Sequence, residues 1–146
     1  MKVSKRTEYG LRAVVRLAEH GGQHAPVPLR EIAALEDIPE AFLDQIFGAL
    51  RRIGVVSSVR GAGGGYQLAH APEEISMGEI VRTLEGGMSP IGCVGDDGVL
   101  PADFCSRATH CHTRSVWVRL NSSIEQALNS ITLADVLVEQ LPEQAL

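Results

Sequence analysis

Apolar positions recur along the chain first at a helical period, then at a period of two, then at a helical period again. In "EYGLRAVVRLAEH", Tyr9, Ala13, Val14, Leu17 and Ala18 fall on one face of a helix predicted over Glu8 to His20, which Gly21-Gly22 stops. "LREIAALEDIPEAFLDQIFGALRRIG" divides into a helix from Leu29 to Glu36, a turn at Asp37-Ile38-Pro39 and a helix from Glu40 to Ile53. Pro39 suits the first turn of that last helix and Gly54 its C-terminal cap, while Phe42, Leu43, Ile46, Phe47 and Leu50 make its core face. The pattern then alternates: "VVSSVR" is β-branched, "GAGGG" supplies positive φ angles and "YQLA" resumes a strand, so residues 55–69 read as a β-hairpin. "PEEISMGEIVRTLEGG" returns to helical spacing through Ile75, Ile80, Val81 and Leu84 and reads as a linker helix ending at Gly86-Gly87. In "SVWVRLNSSIEQALNSI", Trp117, Leu120, Ile124, Ala127 and Ile131 follow one another at steps of three, four, three and four, a heptad seam on a long helix.

Two helices joined by a tight turn and followed at once by a hairpin give the winged helix-turn-helix order. The predicted fold is therefore mainly α with a small β-hairpin wing, extended by a long helix. Its segments are a DNA-binding domain over 1–70, a linker helix over 71–91, a cysteine loop over 92–112, and a dimerisation helix with the C-terminal segment over 113–146. The seam suits docking on its own domain as well as on a second copy. A homodimer is preferred, because one winged helix offers a small DNA interface and a two-fold pair doubles it on a palindromic site.

Charge first argues against DNA and then, by its distribution, for it. The net charge of the 146 residues is −5, yet residues 1–69 hold nine Lys/Arg against seven Asp/Glu, and residues 70–146 hold four against eleven. The basic half is the winged-helix half. Arg60 stands where the first strand meets the glycine-rich tip, placed to enter a minor groove or hold a phosphate. Asp44 and Gln45 lie early on the second helix of the pair, where a carboxylate accepts from cytosine N4 and an amide pairs with adenine. The full set expected on DNA is Lys5, Arg30, Asp44, Gln45, Arg51, Arg60, Gly63, Gly64 and Tyr66. "GAGGG" is no nucleotide-phosphate loop: it lacks the Lys-Ser/Thr ending and leads into a strand where a helix is required. No apolar run is long enough to span a bilayer, and the polar "MKVSKRTEYG" predicts a chain that is not exported. A cytoplasmic protein follows, and with no convergent acid, base and nucleophile set neither catalysis nor a small-molecule substrate is expected.

All three cysteines, Cys93, Cys105 and Cys111, lie within "CVGDDGVLPADFCSRATHC". In a reducing compartment they stay free or bind metal, and their odd number fits no disulfide set. Zinc prefers four closed ligands and would recruit His110 or His112, whereas bare thiols would respond to oxidation alone.

Taken together, "YGLRAVVRLA", "PVPLREIA", "FLDQIFGALRRIGVVSSVRGAGGGYQLA", "EEISMGEIVRTLEG", the cysteine loop and "SITLADVLVEQ" resemble the Rrf-two family of bacterial winged-helix regulators over nearly the whole chain. The resemblance implies a homodimer with crossed long helices that binds double-stranded promoter DNA and represses or activates transcription. It implies that Arg60 matches a minor-groove arginine of the wing and Asp44 a base-reading glutamate. Two departures are Ala62 in place of a common wing proline and Ala41 in place of a polar contact residue. In the cluster-binding branch of the family, three cysteines at this place ligate an iron–sulfur cluster that senses redox state, nitric oxide or iron–sulfur supply. Here eleven residues separate Cys93 from Cys105 and five separate Cys105 from Cys111, against five and five in common relatives. Thiolates leave one iron corner for another ligand. Some members use a histidine at the position of Arg114, which cannot ligate, and others a first-helix carboxylate of the partner at the position of Glu8. Glu8 is thus the expected fourth ligand, with His110 and His112 as runners-up. A small iron–sulfur electron-transfer protein is the remoter reading, since it has no use for a winged helix.

Overall fold

The computed structural model describes residues 2–95, 105–107 and 109–138. The first helix, α1 (Lys5–Leu17), starts one turn earlier than its apolar pattern, because Ser4 caps it by accepting the Thr7 N–H at 3.2 Å. It loosens into a π-type turn over Ala18–Gly22, where Gly21 at φ 98° ends it. Helices α2 (Leu29–Glu36) and α3 (Glu40–Arg52) stand as expected. Between them Asp37 takes a left-handed conformation at φ 53° and Ile38 drops into the core, 4% exposed.

The wing is β1 (Val56–Val59) paired antiparallel with β2 (Gly65–Leu68), Val56 opposite Leu68 and Val59 opposite Gly65. A third element joins it. The N–H of Val27 donates to the Tyr66 carbonyl at 2.7 Å and the N–H of Tyr66 to the Val27 carbonyl at 2.8 Å, so the α1–α2 connection forms a one-residue edge strand. One residue carries no periodicity, and the sequence pattern accordingly misses it.

The expected single linker helix is instead two pieces. Pro72–Glu74 form a 3-10 turn, Ile75 is extended, and Ser76 caps a fresh helix α4 (Met77–Glu85) through its hydroxyl, which accepts the Gly78 N–H at 3.1 Å. Helix α4 is no free-standing link, since Ile80 and Leu84 are buried in one core with Leu17, Ile32, Ile46, Phe47 and Val55.

Helix α5 (Arg114–Ser130) is the expected long helix, but it stops one residue before Ile131. Ile131 is therefore not on the helical seam. Thr132 must leave the helix to cap α6 (Leu133–Val138): its N–H donates to the Asp135 carboxylate at 2.9 Å, and its hydroxyl accepts the Asp135 N–H at 3.2 Å. Ile131 thus becomes an extended residue whose carbonyl accepts the Met77 N–H at 2.9 Å, and Leu133 donates its N–H to Ile75 at 2.8 Å. This short pairing returns the C-terminal segment to the winged helix and buries Leu133 completely.

Candidate nucleic-acid interface and cysteine segment

One face of α3 is apolar and buried, through Leu43, Ile46, Phe47 and Leu50. The opposite face leaves Glu40, Ala41, Asp44, Gln45, Arg51 and Arg52 exposed. The predicted base-reading pair and the helix's cations therefore share one solvent-facing surface. Glu40 is a polar group the sequence reading passed over; it stands one turn before Asp44 beside a depression lined by Leu29 and Ala41. Arg51 reaches the wing, its Nη1 donating to Ser58 Oγ at 3.2 Å, which fixes β1 relative to the recognition helix. Arg60 follows β1 and is exposed, as are Gly61, Ala62 and Gly63 of the tip.

The glycines of the tip have different tasks. A Cβ at Gly64 would run into the Val59 carbonyl, and one at Gly65 into the Val27 carbonyl, so these two exist to let the wing's own strands approach. Gly63 meets no obstacle, which leaves it available to a duplex. Tyr66 is half-buried with its ring 5.1 Å from that of Phe47, and its hydroxyl is pushed above the usual tyrosine range by burial and then by the charge of Asp44. Lys5 and Arg30 are exposed, Lys5 beside Glu8 at 2.8 Å.

All three cysteines are free: Cys105 is exposed, Cys93 and Cys111 are half-buried. The Cys111 thiol is held below the usual thiol range, chiefly by a hydrogen bond with Thr113 Oγ1 at 3.2 Å. Glu8 is half-exposed on α1, its carboxylate 2.8 Å from Lys5 and 3.9 Å from Arg12, and Lys5 above all keeps it ionised. Among the described residues, no group of three or more His, Cys, Asp or Glu lies close enough to hold a metal ion, so one chain does not bring the expected ligands together. Most of the long gap, "DDGVLPADF" over 96–104, lies outside the described residues. His110 and His112 are exposed.

Helix α5 buries no apolar side chain within its own chain; its single buried residue is Asn121. Trp117, Leu120 and Ile124 are half-covered and Ala127 is exposed, as is Val116 at 57%. The stripe is thus only partly covered by the rest of the chain.

Two further groups escaped the sequence reading. Glu36, at the end of α2, accepts from Arg12 Nε at 3.0 Å and Arg16 Nε at 2.6 Å and so clamps α2 to α1. Glu85, at the end of α4, accepts from Ser4 and Thr7 at the start of α1. Neither contact could be read from the sequence, because each partner is distant along the chain.

A helix-turn-helix with an attached wing, an open polar face on its second helix and a long, apolar-striped helix behind it define a winged-helix regulator. The chain belongs to the Rrf2 family, described as iron-dependent transcriptional regulators, whose profile matches residues 3–139. It is 34% identical over 144 residues to the HTH-type transcriptional regulator IscR of Aliivibrio salmonicida, covering 99% of this chain and 82% of that one. Among solved structures it is similar to T. potens IscR, with 42% identity, a TM-score of 0.70, and 94% and 86% of the two chains covered. It is similar also to CymR, the global cysteine regulator of B. subtilis, with 34% identity, a TM-score of 0.72, and 94% and 96% covered. No helix among the described residues is long and apolar enough to cross a membrane.

Proposed function

We propose that the chain is a cytoplasmic, homodimeric regulator that binds double-stranded promoter DNA through its winged helix. The observation that carries this reading is the open Asp44, Gln45 and Arg51 face of α3, tied through Arg51 and Ser58 to the wing that ends in Arg60. In the major groove Asp44 accepts from an exocyclic amine and Gln45 pairs with adenine; Arg60 enters the adjacent minor groove, and Lys5, Arg30 and Arg51 meet phosphates. Gly63 brings tip backbone to the duplex, Gly64 lets the strands close to form that tip, and Tyr66 holds β2 against α3. Two copies pair along the Trp117, Leu120, Ile124 and Ala127 stripe, with Ile131 at its margin. DNA selection with the full chain tests this reading: the expected product is a two-fold symmetric site, and enrichment of no sequence would refute it.

For the sensor, the donor chemistry fits an iron–sulfur cluster: three free thiols on one segment, one of them eased toward thiolate, and an ionised carboxylate at Glu8. Cys93, Cys105 and Cys111 of one copy and Glu8 of the other would hold it. When bound, the cluster supplies a redox- and nitric-oxide-reactive centre. Glu8, now paired with Lys5 at 2.8 Å, would hold the cluster only by giving up that contact, and Lys5 would then be open to phosphate. Anaerobically purified dimer carrying iron and sulfide, with absorbance weakened in Glu8→Ala, is the expected result; colourless protein with neither would refute the cluster.

A second reading, a thiol switch without metal, is favoured by the lowered Cys111 thiol and the exposed Cys105. It predicts that peroxide alters DNA affinity of metal-free protein, and that Cys111→Ser abolishes the response.

A further inference from the structure

The start of α1 is held by a residue 81 positions away. The Glu85 carboxylate accepts the Ser4 hydroxyl at 2.9 Å, the Ser4 N–H at 3.1 Å and the hydroxyl of Thr7, which is wholly buried. One acidic side chain thus orders the cap and the first turn of α1, where unpaired N–H groups favour a negative charge. Thr7 first, then Ser4, keep that carboxylate ionised.

Glu85 is also the last residue before the cysteine-bearing segment. Gly86 at φ 80° and Gly87 at φ 142° reverse the chain at once, so that Gly87 to Pro90 lie across an apolar groove from Lys2 and Val3, just ahead of α1. Met88 and Val94 are buried and pin a compact turn, in which the Ser89 hydroxyl donates to the Ile91 carbonyl at 2.7 Å and the Val94 N–H to the same carbonyl at 3.2 Å. Cys93 is in that turn. Any event at the thiol that moves the turn pulls on its root at Glu85.

On its other side α1 leans on the recognition helix. Gly10 is the contact point: a Cβ there would collide with Leu84 of α4 and come within 3.2 Å of Ile46 of α3. Tyr9 meets Phe42 of α3 edge-on, ring centres 5.8 Å apart. A close-packed crossing transmits displacement, since interiors of this density do not deform to absorb it.

We propose that Glu85 is a positioning residue that couples the turn carrying Cys93 to the recognition helix, through Ser4 and Thr7 of α1. This rests on the DNA-binding reading but on no particular metal or oxidant, because any covalent or coordinative change at the cysteines reaches the same root. A helix cap with only a structural role would lower stability and leave the response of DNA binding to the thiols intact.

The test measures the Kd of the full-length dimer for its selected site, with cysteines reduced and with cysteines alkylated by iodoacetamide. The wild-type ratio of the two is expected to be about five-fold or more, the lower end of common coupling strengths, and to fall below about two-fold in Glu85→Ala. Glu85→Gln keeps an acceptor for Ser4 and Thr7 and should retain most of the wild-type ratio. Where Glu85→Ala does not fold, the Ser4→Ala/Thr7→Val pair removes both hydroxyl bonds to the carboxylate, leaving only the one from the Ser4 N–H, and should lower the ratio toward two-fold. A wild-type ratio near one, or a ratio undiminished in the folded variants, overturns the coupling while leaving the DNA-binding reading standing. Wild-type protein that binds no DNA in either state overturns both.

Discussion

Gly65→Ala isolates what the wing requires of its backbone. Gly65 has φ 152°, a conformation that costs a residue with a side chain about 1–3 kcal/mol. The added Cβ would also overlap the Val27 carbonyl and lie 2.7 Å from the Pro28 nitrogen, both backbone atoms that cannot swing aside. Relief demands separation of the Val27 and Tyr66 backbones, which forfeits their two mutual hydrogen bonds at about 1 kcal/mol each. The combined loss is about 3–5 kcal/mol, a large part of the ~5–15 kcal/mol that holds a domain together. With a urea m-value near ~2 kcal/mol/M, the midpoint followed by circular dichroism at fixed protein concentration should fall by about 1.5–2.5 M. Gly63→Ala is the control: its Cβ meets nothing, so stability should stay within ~0.5 kcal/mol of wild type. DNA affinity should drop in both variants, in Gly63→Ala through the interface alone. A Gly65→Ala midpoint unchanged from wild type would refute the steric account of the glycine run.

Other outcomes follow from the same geometry. Arg60→Ala should weaken binding and, if the guanidinium neutralises one phosphate, flatten the slope of log K against log salt by about 1 per protomer. Glu36→Ala removes the clamp on Arg12 and Arg16; burial alone would raise its pKa, but the hydrogen bonds from Arg16 and Arg12 bring it below the ordinary glutamate range. Its contribution is therefore complete above that ordinary range and lost as pH falls through the lower folded value, so wild type and variant should differ at pH 7 and converge in strong acid when unfolding is followed by pH titration. Leu120→Lys sets a charge on the open stripe of α5 and should shift sedimentation from dimer toward monomer while leaving the far-ultraviolet circular dichroism helical.

Elements with their own period were legible in the sequence. Helices α2 and α3 and the hairpin lie within a residue or two of where spacing, Pro39 and Gly54 put them, because each is specified locally. What was not legible either carries no apolar period or depends on a partner far along the chain. The early start of α1 rests on a polar first turn, the break before α4 on Ile75 pairing with Leu133, and the end of α5 on the cap that Thr132 forms for α6. The same holds for the site. The exposure of Asp44 and Gln45 follows from helical periodicity, whereas the joints at Arg51, Glu36 and Glu85 need the fold before they exist. The cysteines are conspicuous by type and number, but their spacing in sequence does not say how near one another the fold sets them.

The pairing of Ile75–Met77 with Ile131–Leu133 also constrains how the protein can come into being. Leu133 fills a place in the core of the N-terminal half, yet it leaves the ribosome only after α1 to α5 have been made. Until then the winged helix has a hole where that leucine belongs, and its hydrophobic interior is open to solvent. A gene fragment ending soon after the wing would inherit the same hole, and with it a core that lacks one of its fully buried side chains. Synthesis of a competent reader and synthesis of its long helix are thereby one event, and a prematurely terminated product lacks the finished core it would need to compete for operators.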